Sequence, residues 1–335
     1  MPAPALALLD LSGGVEPALA SVPTRPGVGQ LLGPDGRNLV LGTAANLRRW
    51  AASHLGLGKP APAGRRPRTN LAGIAATVGF VETQGSFHQR LTYERLMALV
   101  VPLSARRDLK PPAFLHLDPT QRFPRVAIAG LAPEGPLFGP FRDRRAAEQA
   151  RDAVHRMFPL RPCDFRFEPD PSLPLGLSCL YAQVRSCAAP CLVRTSEEEY
   201  RALASRAAAW LADPGSRADA PSAVPATVAA ATSGRALVVD PAHGSVGLFP
   251  VLGGCVLESA ARWPAAEELE AALRALEWPA ERATGDSDWP WLTSWLRGSR
   301  ARAAFLVPGD GEPIPALAAR VRALLPATGG RGAGR

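Results

Sequence analysis

Phe158-Pro159-Leu160-Arg161-Pro162-Cys163, then Cys179-Leu180, then Cys187-Ala188-Ala189-Pro190-Cys191, then Ser196-Glu197-Glu198-Glu199-Tyr200: the reading of the whole chain turns on this stretch. Four of the five cysteines fall here, with fifteen, seven and three residues between successive members. Four thiolates close in sequence meet the needs of a tetrahedral Zn²⁺ or of a [4Fe–4S] cluster, since both take soft sulfur donors. The spacing is not the paired CxxC of a zinc ribbon, so four free or buried thiols remain the alternative. The concentration of four cysteines out of five in one segment favours metal binding. Cys255 stands apart in a predicted strand and reads as a small core residue. Around the cluster, Asp143 is placed to cap a helix over Arg144–Phe158. Ser196 and Glu199 form a capping-box pair that opens a second helix running to about Leu211.

Those words carry a resemblance. Leu137-Phe138-Gly139-Pro140-Phe141, the Phe-Pro-Leu-Arg-Pro-Cys word, the last three cysteines and Ser196–Tyr200 resemble, in order and spacing, the cysteine region of UvrC-type excinucleases. The gap between the first two cysteines is longer here, and the family's Arg or Lys before Pro-Cys is missing, since Ser178 precedes Cys179 directly. The resemblance implies a metal-binding structural knot at Cys163, Cys179, Cys187 and Cys191, filled by an iron–sulfur cluster or by zinc.

Upstream, Pro26-Gly27-Val28-Gly29-Gln30-Leu31 and Leu39-Val40-Leu41-Gly42-Thr43-Ala44-Ala45-Asn46-Leu47-Arg48-Arg49 resemble the GIY-YIG nuclease module that opens UvrC proteins. The resemblance spans roughly residues 15–212. It implies metal-assisted phosphodiester hydrolysis, in which a cation and an arginine stabilise developing charge while a positioned group activates water. Carried over position by position, the two tyrosines fall at Gly29 and Val40, the arginine at Trp50 beside Arg49, and the metal-binding glutamate at Gln89. Glycine and valine bring no hydroxyl, and a neutral amide is a poor sole ligand for a hard cation. Glu94 lies about 140° around the helix from Gln89 and points elsewhere; Glu82 is in phase but precedes the helix. The expectation is therefore a module whose catalytic positions Gly29, Val40, Trp50 and Gln89 are degenerate, with no Mg²⁺. Gly27, Gly42 and the Asn46–Arg49 turn are kept, and Arg48 and Arg49 are candidate DNA contacts against the plain reading of a solvated helix face.

The fold class expected is α+β: a small GIY-YIG-like mixed sheet with helices, a cysteine-rich α/β middle region and a small α+β C-terminal unit. The divisions are 15–105, 106–212, a linker at 213–234 rich in Ala, Pro, Ser and Thr, 235–326, and a disordered tail at 327–335. A helix is predicted within Leu6–Leu19, a hairpin over Val28–Leu41 turning at Gly33-Pro34-Asp35-Gly36, a helix over Thr43–His54, a strand over Ile74–Glu82 and a helix over Gln84–Val101. Short strands follow at Ala113–Leu117 and Arg125–Ala129. After the linker come strands at Ala236–Asp240, Val246–Pro250 and Gly254–Leu257, and helices at Pro264–Leu276, Trp289–Arg297 and Ile314–Leu325. Trp291 and Trp295 share a helix face and read as core rather than as a base-stacking platform. The C-terminal unit is similar to tails of short UvrC-like proteins and is assigned no chemistry.

The net charge of +8 suits a phosphate-backbone binder, yet only Lys59 and Lys110 are lysines, and a GC-rich codon bias accounts for an arginine-dominated count equally well. Residues 61–112 hold eight basic and three acidic side chains. The N-terminus lacks a signal-peptide pattern and no apolar run is long enough to span a bilayer, so the cytoplasm is expected, with no membrane partner. His54, His88, His116, His155 and His243 show no paired metal-ligand spacing, and there is no phosphate loop or Ser/His/Asp order. The resemblance also implies that the UvrB-docking hairpin is replaced by the linker and that the RNase H-like half is absent. The leading reading is a DNA-associated UvrC/GIY-YIG homologue in a repair-like role with a degraded nuclease site. An active endonuclease using divergent residues and a protein-interaction module without nucleic-acid binding are the alternatives.

Overall fold

The structure, a computed structural model, describes residues 4–58, 69–102, 105–106, 109, 113–129, 136–141, 143–173, 179–212, 235–242, 244–276, 288–296, 304–306, 308–309 and 311–325. The expected linker 213–234 and tail 327–335 lie outside them, as do 59–68 of the expected Pro/Gly/Arg loop.

The class is α+β, with three sheets among the described residues. The first has the order β1 (Ala7–Asp10), β4 (Thr77–Glu82), β2 (Gly27–Leu32), β3 (Asn38–Ala44), and every described pairing in it is antiparallel rather than mixed. The β2–β3 hairpin forms where expected, its turn closed by Gly36 N–H to Gly33 O and Gly33 N–H to Arg37 O, with Gly36 at φ 75°. Near the N-terminus two boundaries differ from expectation. The short helix expected within Leu6–Leu19 is present as α1 (Val15–Ser21), which begins only after Gly13-Gly14; the residues before it form a strand, with Ala7–Asp10 pairing with β4 and Asp10 accepting from the Ser12 amide. Pairing across the sheet overrides the helix propensity of an Ala/Leu-rich segment. Thr43 and Ala44 belong to β3, and helix α2 (Leu47–His54) starts after Asn46, whose side chain accepts from the Arg49 amide at 2.8 Å.

Helix α3 (Ser86–Val100) joins the parts of the molecule. Its N-cap residue, Gly85, has no side chain to cap it. The cap comes from Asp240, whose carboxylate accepts the His88 N–H at 2.8 Å and the Ser86 hydroxyl at 3.4 Å. Asp240 is 1% exposed, so a buried carboxylate meets the unpaired amides at the positive end of a helix. In the same first turn, Phe87 inserts between Phe249 and Trp295, with ring centroids 5.1 and 4.8 Å away. Farther along, Arg95 pairs with both oxygens of Asp288 and with Glu258. Asp288 also accepts from the Val256 amide and the Trp291 indole.

These partners all lie in the C-terminal sheet or its connections: β8 (Arg235–Ala242), β9 (Ser245–Leu252), β10 (Cys255–Val256) and β11 (Phe305–Leu306), ordered β10-β9-β8-β11. The period-2 alternation of strands splits its residues. Ala236, Val238, Phe249 and Val251 share a core with Phe87, Leu91, Phe114, Trp289 and Trp291. Leu237, Val239, Val246 and Leu248 face helices at Leu269–Arg274 and Ile314–Arg322. The tryptophan helix Trp289–Trp295 is core, as its spacing predicts.

Between these sheets, β5 (Ala113–His116) lies between β6 (Ala127–Ala129) and β7 (Leu137–Phe141), both antiparallel to it. Two of the words quoted from the sequence gain a structural role here. Leu137–Phe141 is an edge strand, where a proline is tolerated. Helices α4 (Arg144–Met157) and α6 (Glu197–Ala212), with the short α5 (Leu180–Gln183) between them in the chain, bury Ala147, Ala150, Val154, Tyr200, Ala204 and Ala207 against Leu115, Phe138 and Phe141. Asp143 caps α4 through the Ala146 amide, and Ser196 and Glu199 form the reciprocal capping box. Among the described residues no helix is long and apolar enough to cross a membrane.

A methyl group at Gly85 would stand 2.1 Å from Asp240 Oδ2, whereas one at Gly73 would meet nothing within 4 Å. Gly85→Ala is expected to lower stability by about 1–3 kcal/mol, the usual range for overpacking. Gly73→Ala should not lower it. Paired urea denaturation curves check the difference.

Candidate functional site

The four positions expected to be degenerate, Gly29, Val40, Trp50 and Gln89, lie around one wall of the first sheet. Gly29 and Gly42 are cross-strand partners, with Leu31 and Val40 the next pair on that face. The Trp50 indole lies over the glycines. A Cβ on Gly29 would come within 2.4 Å of the ring, and one on Gly42 within 3.1 Å of Nε1. Trp50 is itself 7% exposed and packs with Leu31, Leu47 and Val40. The large ring fills the volume that the two absent side chains leave.

Gln89, on the first turns of α3, donates from Nε2 to the carbonyls of Gly27 (2.9 Å) and Ala44 (2.8 Å), fastening the helix to the ends of β2 and β3. Both acceptors are carbonyl oxygens, so the position calls for an amide; a carboxylate there would face two oxygens without a proton to offer.

The neighbouring charged groups serve other ends. Arg48 donates to Val22 O and Ala20 O, both at 2.8 Å, holding the C-terminus of α1. Arg49 is exposed and has no ion pair among the described residues. Glu82 ends β4 opposite Gly27, with its carboxylate 3.5 Å from Arg25. Glu94 is buried and bound by Arg90 and Arg106 at 2.5 and 2.6 Å, away from Gln89 as its helical phase requires. Thus Gly29, Val40 and Trp50 come together with Gln89 at their edge, while the Arg48 guanidinium is committed to backbone.

The cysteine segment folds back on itself between α4 and α6. Asp170 N–H bonds Cys191 O, Ala188 N–H bonds Pro159 O, and Cys187 N–H bonds Tyr181 O. Arg161 organises its approach: the guanidinium donates to Phe123 O and Phe165 O and stacks over Phe167, 5.4 Å from its centroid. The Arg161 amide donates to the Tyr200 hydroxyl at 2.7 Å, and that hydroxyl donates to Pro124 O. Burial pushes the Tyr200 phenol above its ordinary range. Sequence reasoning named both residues within its quoted words but gave them no role.

The four cysteines are reduced. Cys187 is pushed up to about 11, first by burial and then by the nearby Cys163, Cys191 and Cys179 thiols, with the Ala189 amide opposing from 3.3 Å. Cys191 is raised by burial and by Cys179 and Cys163. The four sulfurs are thus close enough to feel one another, but among the described residues no three Cys, His, Asp or Glu side chains converge tightly enough to hold an ion. Chemically the donor set suits a soft metal: four thiols, with a backbone amide directed at one of them.

Residues 113–210, from β5 to near the end of α6, match the family described as the UvrC/Cho excinuclease middle domain. The chain carries a UvrC-like region. Its relatives include the UvrABC system protein C of Kocuria rhizophila, 31% identical over 196 residues, covering 56% of this chain and 27% of that protein. The proteins of the same name from Geobacter metallireducens (30% over 205 residues) and Trichlorobacter lovleyi (31% over 199) each cover 58% of this chain, and 31% and 32% of their own lengths. The chain therefore spans less than a third of these relatives. No solved structure matches it. The UvrC-like region contains all four clustered cysteines, Arg161 and Tyr200, so the cysteine segment and the residues that brace it belong to the matched part.

The packing of Trp50 on Gly29 can be tested by a double-mutant cycle. Gly29→Ala in the natural chain is expected to cost about 1–3 kcal/mol through overpacking. In a Trp50→Ala background that penalty should vanish, giving a coupling of similar size in denaturation experiments.

Proposed function

We propose that this chain is a DNA-associated relative of UvrC acting in a nucleotide-excision-repair-like role through binding rather than hydrolysis. The observation that carries the reading is the match of residues 113–210 to the UvrC/Cho middle domain, with relatives named UvrABC system protein C. In this reading the first sheet is a GIY-YIG-like module whose fold outlived its chemistry. Hydrolysis by a metal-assisted route needs a carboxylate to hold the cation and a group to activate water. Support for its loss comes from the positions concerned: an indole rests on Gly29 and Gly42, and Gln89 spends its amide on two carbonyls.

The knot at Cys163, Cys179, Cys187 and Cys191 is proposed to hold Zn²⁺ or an iron–sulfur cluster. The bound group would supply a cross-link for a segment with a small apolar core of Ala182, Ala189, Cys191 and Leu192. The excess of arginine supplies the long-range attraction to phosphate, with DNA as the partner.

Fluorescence anisotropy with labelled DNA across a salt series tests the binding claim. Binding at low salt that weakens linearly in log–log form is expected; no binding at low salt contradicts it. Elemental analysis of the purified chain should find zinc or iron near stoichiometry, lost on Cys187→Ser together with thermal stability. Neither metal at such a level would sink the knot.

A further inference from the structure

We propose that the outward face of the cysteine knot is a stacking surface for unpaired nucleic-acid bases. This deepens the DNA-associated reading and rests on it.

Three observations converge there. The first is exposed apolar surface. Among the described residues eleven large hydrophobic side chains are exposed, and five of them, Phe165, Leu180, Tyr181, Val184 and Val193, come from this short segment. Phe165 is stacked on Phe167, which packs against the small core of the knot. Single exposed apolar residues need no explanation, but a concentration of them marks a contact surface.

The second is backbone strain. The non-glycine residues with positive φ among those described are Arg185, Ala189 and Val193, at 56°, 51° and 56°. They recur every fourth residue, each two positions from Cys187 or Cys191. Phe165 and Tyr181 likewise stand two positions after Cys163 and Cys179. Two residues span at most about 7 Å, so each of these groups lies within that reach of one of the four clustered cysteines. Left-handed conformations are strained for such residues and concentrate where a loop meets a ligand.

The third is charge. From Cys179 to Thr195 the chain has Arg185 and Arg194 and no acid, and Arg166 sits between Phe165 and Phe167. None of these three arginines has an ion pair among the described residues. Nearby acids are partly engaged: Glu168 pairs with Arg122 and Asp170 accepts from Ser172, which leaves Asp164 exposed. Arginines interleaved with exposed rings suit a chain of phosphates whose bases are free to stack. A closed duplex offers phosphates but no base faces, and would leave Tyr181, Phe165 and the Leu180–Val184 face without a use. DNA and RNA single strands share this chemistry.

The test uses the full chain and labelled single-stranded DNA, single-stranded RNA, closed duplex and duplex with an unpaired bubble, at one salt concentration and then in a series. Single strand and bubble should bind more tightly than duplex, and the RNA arm tells which sugar is preferred. Tyr181→Ala and Phe165→Ala should each weaken single-strand binding about tenfold, the scale of one lost stack, and leave duplex binding unchanged. Tyr181→Phe should retain affinity, which separates loss of the ring from loss of the fold. Arg185→Ala should reduce the salt slope on single strands by about 0.7. If the wild type binds duplex as well as single strand, or the alanine variants bind single strand like wild type, the stacking surface is wrong while DNA association stands. If the wild type binds no nucleic acid, both fall together. Self-association in sedimentation that Tyr181→Ala abolishes would make this face a protein interface and overturn the proposal.

Discussion

Helix α3 begins at a glycine that cannot cap it, and the carboxylate that does so arrives from Asp240, 152 residues after the His88 amide that it accepts. The helix is held on several sides at once. Gln89 ties its first turns to the ends of β2 and β3, Phe87 and Leu91 enter a core shared with the C-terminal sheet, and Arg95 closes on Asp288 and Glu258. Burying a carboxylate is costly unless the charge meets donors. Here the donors are the amides that a helix start leaves unpaired. Removing either side strands the other, so this junction couples the N-terminal wall to the C-terminal sheet.

The same helix explains why the first sheet is consistent as it stands. A ring at position 50 needs glycines opposite it, and an amide at position 89 needs two carbonyls, so each of these residues fits its neighbours. The UvrC-like middle region is built differently. Its helices and small sheet are well packed, whereas the cysteine segment between them combines left-handed residues, exposed apolar side chains and a core of four buried residues. Such a segment draws its rigidity from cross-links, through Arg161 to backbone carbonyls and, in the proposed knot, through its four sulfurs.

Much of this was legible in the sequence. The capping box at Ser196 and Glu199, the Asp143 cap, the Gly33–Gly36 turn and the buried face of the tryptophan helix follow from local chemistry, and the structure has them. Contacts made by distant segments were not legible. Ala7–Asp10 is a strand because β4 lies beside it, about seventy residues on, and nothing in an Ala/Leu run announces that. Asp240 reads as an isolated acid in a strand until α3 is placed against it. Trp50 and Gly29 each stood out as departures, and the signal that they compensate one another lay in their volumes, a large ring against a missing side chain. The left-handed residues of the cysteine segment were not legible either, since Arg185 and Val193 are not residues from which positive φ is read.

The claim that fold and binding surface outlived the chemistry is tested most directly with supercoiled plasmid, incubated with the purified chain and Mg²⁺ or Mn²⁺ at a protein concentration that retards the DNA in a gel. Retardation is predicted without relaxed or linear product above the protein-free blank. Metal-dependent nicking that co-elutes with the protein and disappears on changing Arg49 or Glu82 would contradict it.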